Sequence, residues 1–302
     1  MKKKSSSSSP TKAKIIKGSL KLISKLPFYW SRQLGKLLGH AIWLSQGRNV
    51  QVTRKNLQLC YPDLSAEEIE QKAKESCLHS GMLITETAWI WNRPGQDIVR
   101  YIDKVTGAEL ITEALQQNKG IIFTGPHLGN WESFAYWCTE KLTTHAMYRI
   151  PKIKELDPVI RESREKSGIK MILAEASGVR SMLKVLKQGE GLVILSDQSP
   201  VENSGVYAPF FQHSAYTMVL LQRLLKKTQC ELFFFSSIRT QKGFNIELKK
   251  ANFDTQSESP EEFAEESPEE LVGGAAVIES NTSPLFSLLP VELVLVIGKP
   301  GL

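Results

Sequence analysis

The feature that most constrains the fold is the alternation of short apolar segments with amphipathic ones. Strand-like runs occur at IIFTG, KMILAE and LVILS, and a hairpin of strands is predicted at 231–252. Segments with apolar residues at helical spacing lie between or beside them, at 106–120, 177–191 and 216–229. This alternation predicts an α/β fold with a mostly parallel or mixed central sheet flanked by helices. In such sheets the ligand site lies at the carboxyl ends of the strands.

Charge is distributed very unevenly along the chain. The formal net charge is +6, but residues 1–62 contain thirteen Lys or Arg and no Asp or Glu. From residue 252 onward there are ten acidic residues and one basic residue. A strongly basic end on a near-neutral body indicates a polyanionic partner at that end, either nucleic acid or an anionic membrane surface.

Residues 13–46 favour the membrane over nucleic acid. Residues 1–12 form a basic, Ser-rich tail that we expect to be disordered. After it, cations recur on one helical stripe with apolar residues between them, and Pro27 is expected to kink the helix. The cations of the stripe are Lys14, Lys17, Lys21, Lys25, Arg32 and Lys36. The longest uncharged run, 37–47, is far below the ~20 residues that span a bilayer.

The segment 13–46 is therefore predicted to be an amphipathic helix that lies in the interface of an anionic membrane. Its apolar side carries too many large hydrophobic residues for a helix that follows nucleic-acid phosphates, so no nucleic-acid partner is expected. The alternative is an ordinary surface helix packed on its own domain. No metal is predicted, because the four cysteines and five histidines form no ligand-spaced cluster. No other cofactor is predicted either, and the sequence contains no P-loop and no G-x-G-x-x-G motif.

The segment TGPHLGNWES (124–133) carries His127 and Glu132 directly after a strand-like run. Residues five apart on one helix lie about 140° apart and do not meet. The glycines on either side of His127 interrupt a helix and Asn130 is a good N-cap, which predicts a loop at His127 and a helix beginning before Glu132. A carboxylate there can hold the second imidazole nitrogen of a general base. The alternative is a core histidine with a helix-capping glutamate.

The motif also resembles a known family. HLGNWE is similar to the His-x-x-x-x-Asp/Glu motif of glycerolipid acyltransferases, and more narrowly to the bacterial late acyltransferases of lipid A biosynthesis, the lauroyl/myristoyl transferases. Further segments resemble the same family in order along the chain. They are RKNLQLCYPDLSAEE (54–68), MYRIPKIKELDPVIRESREKSG (147–168) and VRSMLKVLKQGEGLVILSDQSPVENSGVYAPFFQHSAYT (179–217). Together they cover roughly residues 20–252.

The resemblance implies an acyltransferase domain over 47–252 at the cytoplasmic face of the inner membrane. It implies transfer of a fatty acyl group from acyl carrier protein to a 3-hydroxyl on an acyl chain of a lipid A precursor, with anionic inner-membrane lipids as further partners. His127 would be the general base and Glu132 its partner. In-class alternatives are another glycolipid or a glycerolipid as acceptor. A lipid-binding module with a degenerate site is the non-enzymatic alternative.

Substrate-binding residues are expected beside this pair. Arg161 and Arg164 belong to a cationic strip with Lys166 and Lys170, which suits an acidic carrier protein or lipid phosphates. Its alternative is a solvated helix face. The resemblance marks Arg164 in particular, and Arg149 belongs to the same block. Asp197 follows a predicted strand, where it either binds substrate or caps a helix.

The C-terminal segment 253–302 departs from the family. It is acidic and proline-interrupted, with Glu-Ser-Pro-Glu-Glu at 258–262 and again at 266–270, and then apolar. The Trp-x-x-Arg-Arg-Phe-like segment that usually ends these proteins is absent from the sequence. We expect this atypical tail to be poorly ordered or to pack apart from the main sheet.

Overall fold

A computed structural model describes residues 10–151, 157–197, 200–211, 213–252 and 259–266. The chain starts with a helical layer: α1 (Pro10–Ile23), α2 (Phe28–Ser45), α3 (Arg48–Cys60), α4 (Ala66–Ile90) and the short α5 (Gly95–Val99). Helix α4 starts with a capping box, in which Ser65 Oγ accepts from the Glu68 N–H and the Glu68 carboxylate accepts from the Ser65 N–H. The Ser65-x-x-Glu68 spacing is the sequence signature of such a box.

The rest of the described chain alternates strands with helices. The strands are β1 (Ile102–Thr106), β2 (Ile121–Gly125), β3 (Thr144–Tyr148), β4 (Lys170–Leu173), β5 (Gly191–Leu195), β6 (Gly205–Phe210), β7 (His213–Met218), β8 (Glu231–Arg239) and β9 (Phe244–Lys250). The helices are α6 (Glu109–Gln116), α7 (Trp131–Thr139), α8 (Asp157–Lys166), α9 (Ala176–Lys187), α10 (Leu220–Thr228) and α11 (Pro260–Glu266).

Within the described residues, seven strands form one sheet in the order β1-β9-β8-β2-β5-β3-β4. The pairings β2/β8, β2/β5, β3/β5 and β3/β4 are parallel, whereas the hairpin β8/β9 is antiparallel. Strands β6 and β7 form a separate antiparallel pair. The predicted α/β class with a mostly parallel sheet is confirmed.

Helices cover both faces of this sheet because alternate side chains of its buried strands point to opposite sides. On one face, Phe123 of β2 and Phe235 of β8 pack against Phe134 of α7. On the other face, β2 and β8 contribute residues to a cluster with α9, α10 and α11. All five residues of β2 are buried, which is typical of a central parallel strand. This places the end of β2 in the middle of the carboxyl edge.

Helix α11 differs from the prediction for the tail. Phe263 is 2% exposed and belongs to the core cluster that α9 and α10 form on the sheet. Its burial removes a large aromatic surface from water, which holds this acidic helix against the domain. Residues 253–258 and 267–302 lie outside the described residues, so the remainder of the prediction for 253–302 stays a prediction.

The segment 13–46 forms two helices, α1 and α2, separated by a turn that ends at Pro27. The side of α2 that faces α4 is small and polar: it carries Ser31, Arg32, Gly35 and Gly39. A Cβ on Gly35 would lie 2.6 Å from the Met82 Cα, so glycine lets the two helices approach closely. Helix α2 is therefore packed tightly on its own domain.

One cation of the predicted stripe is not on the surface. Arg32 is 7% exposed, and its Nε donates to Glu86 of α4 at 2.7 Å. The helical periodicity placed Arg32 with the lysines, but the ion pair with a buried carboxylate turns it inward. Its place in the surface stripe is a correction to the sequence prediction.

The outward side of α1 and α2 is unusually apolar. Of the thirteen large hydrophobic residues that are exposed in the described part of the chain, eight lie on these two helices. They are Ile15, Leu22, Tyr29, Trp30, Leu34, Leu37, Leu38 and Leu44. No helix among the described residues is long and apolar enough to cross a bilayer.

Candidate active site

The ends of two neighbouring parallel strands bring His127 and Asp197 together. Gly125 of β2 pairs with Leu195 of β5. His127 comes two residues after Gly125, and Asp197 comes two residues after Leu195. The Asp197 Oδ1 lies 2.7 Å from the His127 Nδ1, and its Oδ2 accepts from the His127 backbone N–H at 2.8 Å. The side chains are 20% and 14% exposed, respectively. The carboxylate thus fixes both the ring and the backbone of His127 and leaves the pair accessible at the sheet edge.

The turn after His127 depends on one glycine. Gly129 has φ +64, and a Cβ there would lie 1.8 Å from the Ser237 carbonyl oxygen of β8. The same oxygen accepts from the backbone N–H of Asn130 at 3.1 Å. A side chain at position 129 would therefore be strained in its backbone and would break this contact. The turn ends at Trp131, where α7 begins as the sequence predicts.

Glu132 lies in the first turn of α7 but binds another partner. Its carboxylate accepts from Arg164 of α8, with Nη2 2.6 Å and Nε 3.1 Å from Oε1. Both side chains are buried, at 2% and 9% exposure. The Arg164 guanidinium also stacks over the Trp131 ring, 4.6 Å from its centroid. This charge-assisted pair joins α7 to α8 beside residues 126–130, the turn that carries His127 and that we call the reactive turn.

The hydrogen bonds of the described residues therefore differ from the arrangement inferred from the motif. The carboxylate at Nδ1 belongs to Asp197, which was expected to bind substrate or cap a helix. Helix α7 directs Glu132 into the protein interior towards α8, whereas the matched strand register places Asp197 against the imidazole. Arg164 lies in this constellation as expected, next to Glu132.

The other predicted cations are more peripheral. Arg161 has a 42% exposed side chain 4.0 Å from Glu165, and Lys166 is 3.0 Å from Glu162 on the same helix. These glutamates partly neutralise the strip, so α8 resembles a solvated face more than the sequence implied. Arg149 is exposed just after β3. Within the described residues, neither Arg149 nor Arg161 is brought into contact with His127.

Two tyrosines support the interior side of the site. The Tyr136 hydroxyl donates to the Ser163 carbonyl at 3.1 Å, and burial and the nearby Glu132 carboxylate raise the pKa of Tyr136. Burial and a hydrogen bond to Asp157 likewise raise the pKa of Tyr148. Both phenols, which are neutral at physiological pH in any case, stay neutral to a higher pH than an ordinary tyrosine. Their hydrogen bonds join α7 and β3 to α8.

A family model described as bacterial lipid A biosynthesis acyltransferase matches residues 1–271. That match covers the sheet, the reactive turn, the His127–Asp197 pair and the Glu132–Arg164 pair. The chain belongs to this family. The position of its His-x-x-x-x-Glu segment at the carboxyl edge of an α/β sheet agrees with the resemblance inferred from the motifs.

Individual members of the lipid A acyltransferase family are distant relatives. The chain is 29% identical over 194 residues to the lipid A biosynthesis palmitoleoyltransferase of Escherichia coli strain K12, covering 64% of this chain and 62% of the relative. The lauroyltransferase of the same strain is 27% identical over the same shares. A lipid A biosynthesis acyltransferase of Haemophilus influenzae is 27% identical over 227 residues, covering 72% and 70%. The chain thus spans about three fifths of the length of the E. coli relatives.

Proposed function

We propose that the protein transfers a fatty acyl group from acyl carrier protein to a hydroxyl of an acyl chain on a lipid A precursor. The observation that carries this proposal is the His127–Asp197 pair, held at the carboxyl edge of the sheet with Nδ1 bonded to a carboxylate. Such a pair is suited to general-base activation of a hydroxyl, and membership of the family supplies the class of acceptor.

The reaction follows from this geometry. Because Asp197 holds Nδ1, Nε2 of His127 is the atom that takes the proton from the acceptor hydroxyl. The resulting alkoxide attacks the thioester carbonyl and forms a tetrahedral intermediate. Its collapse forms the new ester and breaks the C–S bond, and the imidazolium returns its proton to the departing thiolate. Asp197 stabilises the imidazolium between these two proton transfers without becoming protonated.

Arg164 is proposed to bind the anionic part of the substrates. Glu132 holds its Nε and Nη2, and Nη1 makes no hydrogen bond within the described residues. A guanidinium fixed on one side presents its remaining donors in a defined direction, which suits a phosphate or a developing oxyanion. In this assignment Glu132 acts through Arg164 as a positioning residue. Arg149 and Arg161 would serve the outer part of the substrate path.

The membrane contact is proposed to lie on α1 and α2, at the cytoplasmic face of the inner membrane. Trp30, Leu34, Leu37 and Leu44 recur at spacings of four, three and seven and are all exposed, which makes an apolar stripe along α2. Lys36 of the same helix and Lys14, Lys17 and Lys21 of α1 are exposed as well. Apolar side chains with lysines beside them suit an interface that contains anionic lipids. The acceptor lipid resides in the same membrane.

The transferase proposal is tested with purified protein, acyl carrier protein thioesters and lipid A precursors. Mass spectrometry should detect a precursor heavier by one acyl group, and a precursor without the acceptor hydroxyl should give no product. Transfer to lysophospholipids alone would favour a glycerolipid acceptor. Binding of the precursor without any transfer would favour the lipid-binding module and reject the enzyme.

The membrane proposal is tested by sedimentation with vesicles that contain anionic phospholipids. Leu37→Asp and Leu44→Asp should each weaken binding several-fold, because a charge replaces an apolar contact. Val52→Asp is the matched control, since Val52 is an exposed aliphatic residue on α3, outside the stripe. Equal binding of all three variants would contradict the assignment of α2.

A further inference from the structure

A second buried carboxylate lies close behind the reactive turn. Glu86, in the C-terminal half of α4, is 0% exposed and is held by two arginines. Arg32 Nε is 2.7 Å from its Oε1, and Arg239 Nε is 2.7 Å from its Oε2. Burial of ionised groups is costly unless they are paired and hydrogen-bonded, so these three side chains stabilise one another.

Asn130 connects this cluster to the reactive turn. Its Nδ2 donates to Glu86 Oε2 at 3.3 Å, and its backbone N–H donates to the Ser237 carbonyl. Asn130 is 0% exposed and lies between His127 and Glu132 in the chain. Its side chain makes no capping bond to α7. Its buried amide is therefore held by the Glu86 cluster and not by its own helix.

The cluster also has unused hydrogen-bonding capacity at this point. Within the described residues, Asn130 Oδ1 and Arg239 Nη2 are buried without a hydrogen-bond partner. One is an acceptor and the other a donor, and both belong to side chains that donate to the same oxygen of Glu86. Each such atom carries a free-energy cost in a buried environment, so the cluster holds an unsatisfied acceptor and an unsatisfied donor beside the turn.

Arg32 extends the connection to α2. Its Nη1 and Nη2 donate to the carbonyls of Thr240 and Gly243 in the β8–β9 turn, at 2.6 and 2.7 Å. Its guanidinium also lies 4.5 Å from the centroid of the Phe28 ring. A single residue of α2 therefore reaches Glu86 and the sheet hairpin. The opposite side of this helix carries the exposed apolar stripe.

We infer that Glu86 and Asn130 are positioning residues for the reactive turn, and that Arg32 links that position to helix α2. Glu86 fixes the Asn130 amide, Asn130 fixes the turn after His127, and the turn sets the ring of His127 against Asp197. The activity readout of this inference rests on the proposed transferase function. The geometric readout does not.

Asn130→Ala is the most direct test, because it removes the link and leaves Glu86 with both arginines. Turnover is expected to fall about 10-fold to 100-fold with little change in KM, because a displaced base costs rate and not substrate affinity. Nitrogen-15 NMR of the histidine side chains should show a smaller fraction of the Nδ1–H tautomer of His127. The NMR measurement needs no substrate, so it remains informative if no transferase activity is found.

Thr139→Ala is the matched control, because Thr139 ends the same helix α7 and its Oγ1 donates to the backbone carbonyls of Tyr136 and Ser167. It should leave turnover and the His127 tautomer unchanged. An unchanged tautomer and turnover in Asn130→Ala would overturn the inference. An equal loss in the two variants would also overturn it, by assigning the effect to α7 as a whole.

Arg32→Lys provides a second test that keeps the buried charge. Lysine lacks the planar guanidinium and cannot donate to Glu86 and to both carbonyls at once. Part of the connection between α2 and Glu86 is therefore lost. We expect a several-fold lower turnover and the same direction of tautomer change, with vesicle binding unchanged. Unchanged turnover together with an unchanged tautomer would separate α2 from the reactive turn and reject that part of the inference.

Discussion

His127 and His79 lie in two regions of the molecule with opposite electrostatic surroundings. At the sheet edge, the Asp197 carboxylate is 2.7 Å from the His127 Nδ1. Inside the helical layer, Arg239 Nη1 lies 3.4 Å from the His79 Nδ1, which must accept because a guanidinium only donates. Burial, and then the Arg239 charge, lower the pKa of His79 to about 4. The His79 ring is therefore kept neutral at physiological pH, whereas the His127 ring has a carboxylate beside it.

The difference shows that distant segments decide what each histidine does. Asp197 is 70 residues from His127, and Arg239 is 160 residues from His79. Neither neighbour belongs to the local sequence around its histidine. A carboxylate beside an accessible ring supports proton transfer, whereas a guanidinium beside a partly buried ring opposes protonation. Substitutions at each histidine and in its surroundings separate the two sides of this comparison.

The largest effect is expected for His127→Ala. Without the proton acceptor, turnover should fall by a factor on the order of 10²–10⁴, measured as acylated lipid A precursor per unit time. Stability should change little, because the side chain is partly exposed at a strand end. His40→Ala is the control, since His40 is exposed and its Nδ1 contacts the carbonyl of Lys36 in its own helix. Near-normal transfer by folded His127→Ala would reject the mechanism.

A smaller effect, on stability, is expected for Glu132→Gln. The change leaves Arg164 with a neutral partner in a buried pair, which should cost about 3 kcal/mol of unfolding free energy, measured by urea denaturation. Glu165→Gln on α8 is the matched control, because its ion pair with Arg161 is long and exposed. Activity should fall as well, with a raised KM if Arg164 binds phosphate. Equal stability of the two variants would show that the buried pair contributes nothing to the fold.

The fold was predictable from sequence where the local pattern of a segment is enough to determine its secondary structure. The buried strands β2, β5 and β8, the capping box of Ser65 and the start of α7 follow from local patterns. Strand β3 was not predicted, because THAMY has mixed polarity and gains its burial from the sheet. Residues 216–218 were assigned to a helix but belong to β7, and α10 begins only at Leu220. The pairing of β6 with β7 determines that boundary.

The site was predictable to the extent that it follows one strand. His127, Glu132 and Arg164 are near one another, as the motifs implied. The partner of His127 was not predictable, because it depends on β5 lying next to β2 in register. Both His127 and Asp197 follow a strand by two residues, and that shared position is the signal that sequence alone offered. The burial of Arg32 was not predictable either, because it depends on Glu86, which is 54 residues away in the sequence.

A smaller effect again is expected for Asp197→Asn. The amide keeps the shape but no longer stabilises the imidazolium, so turnover should fall by about 10². The double variant with His127→Ala should be no slower than His127→Ala alone, because both changes remove one function. The unfolding free energy of Asp197→Asn should stay close to that of the unchanged protein. A double variant much slower than His127→Ala would give Asp197 a separate role in substrate binding.

The smallest effect is expected from pH acting on His79. Its folded pKa of about 4 lies below the ordinary 6.5, so the unfolded chain binds more protons between these values. Stability from this group is therefore complete above pH 6.5 and is lost as the pH falls towards 4. The loss should amount to about 2 kcal/mol between pH 7 and pH 5. His79→Gln keeps an acceptor for Arg239 and should remove this part of the pH dependence in urea denaturation. His40→Ala, which changes an exposed histidine, should retain it, and a parallel pH profile for the two variants would show that His79 is not held neutral by the fold.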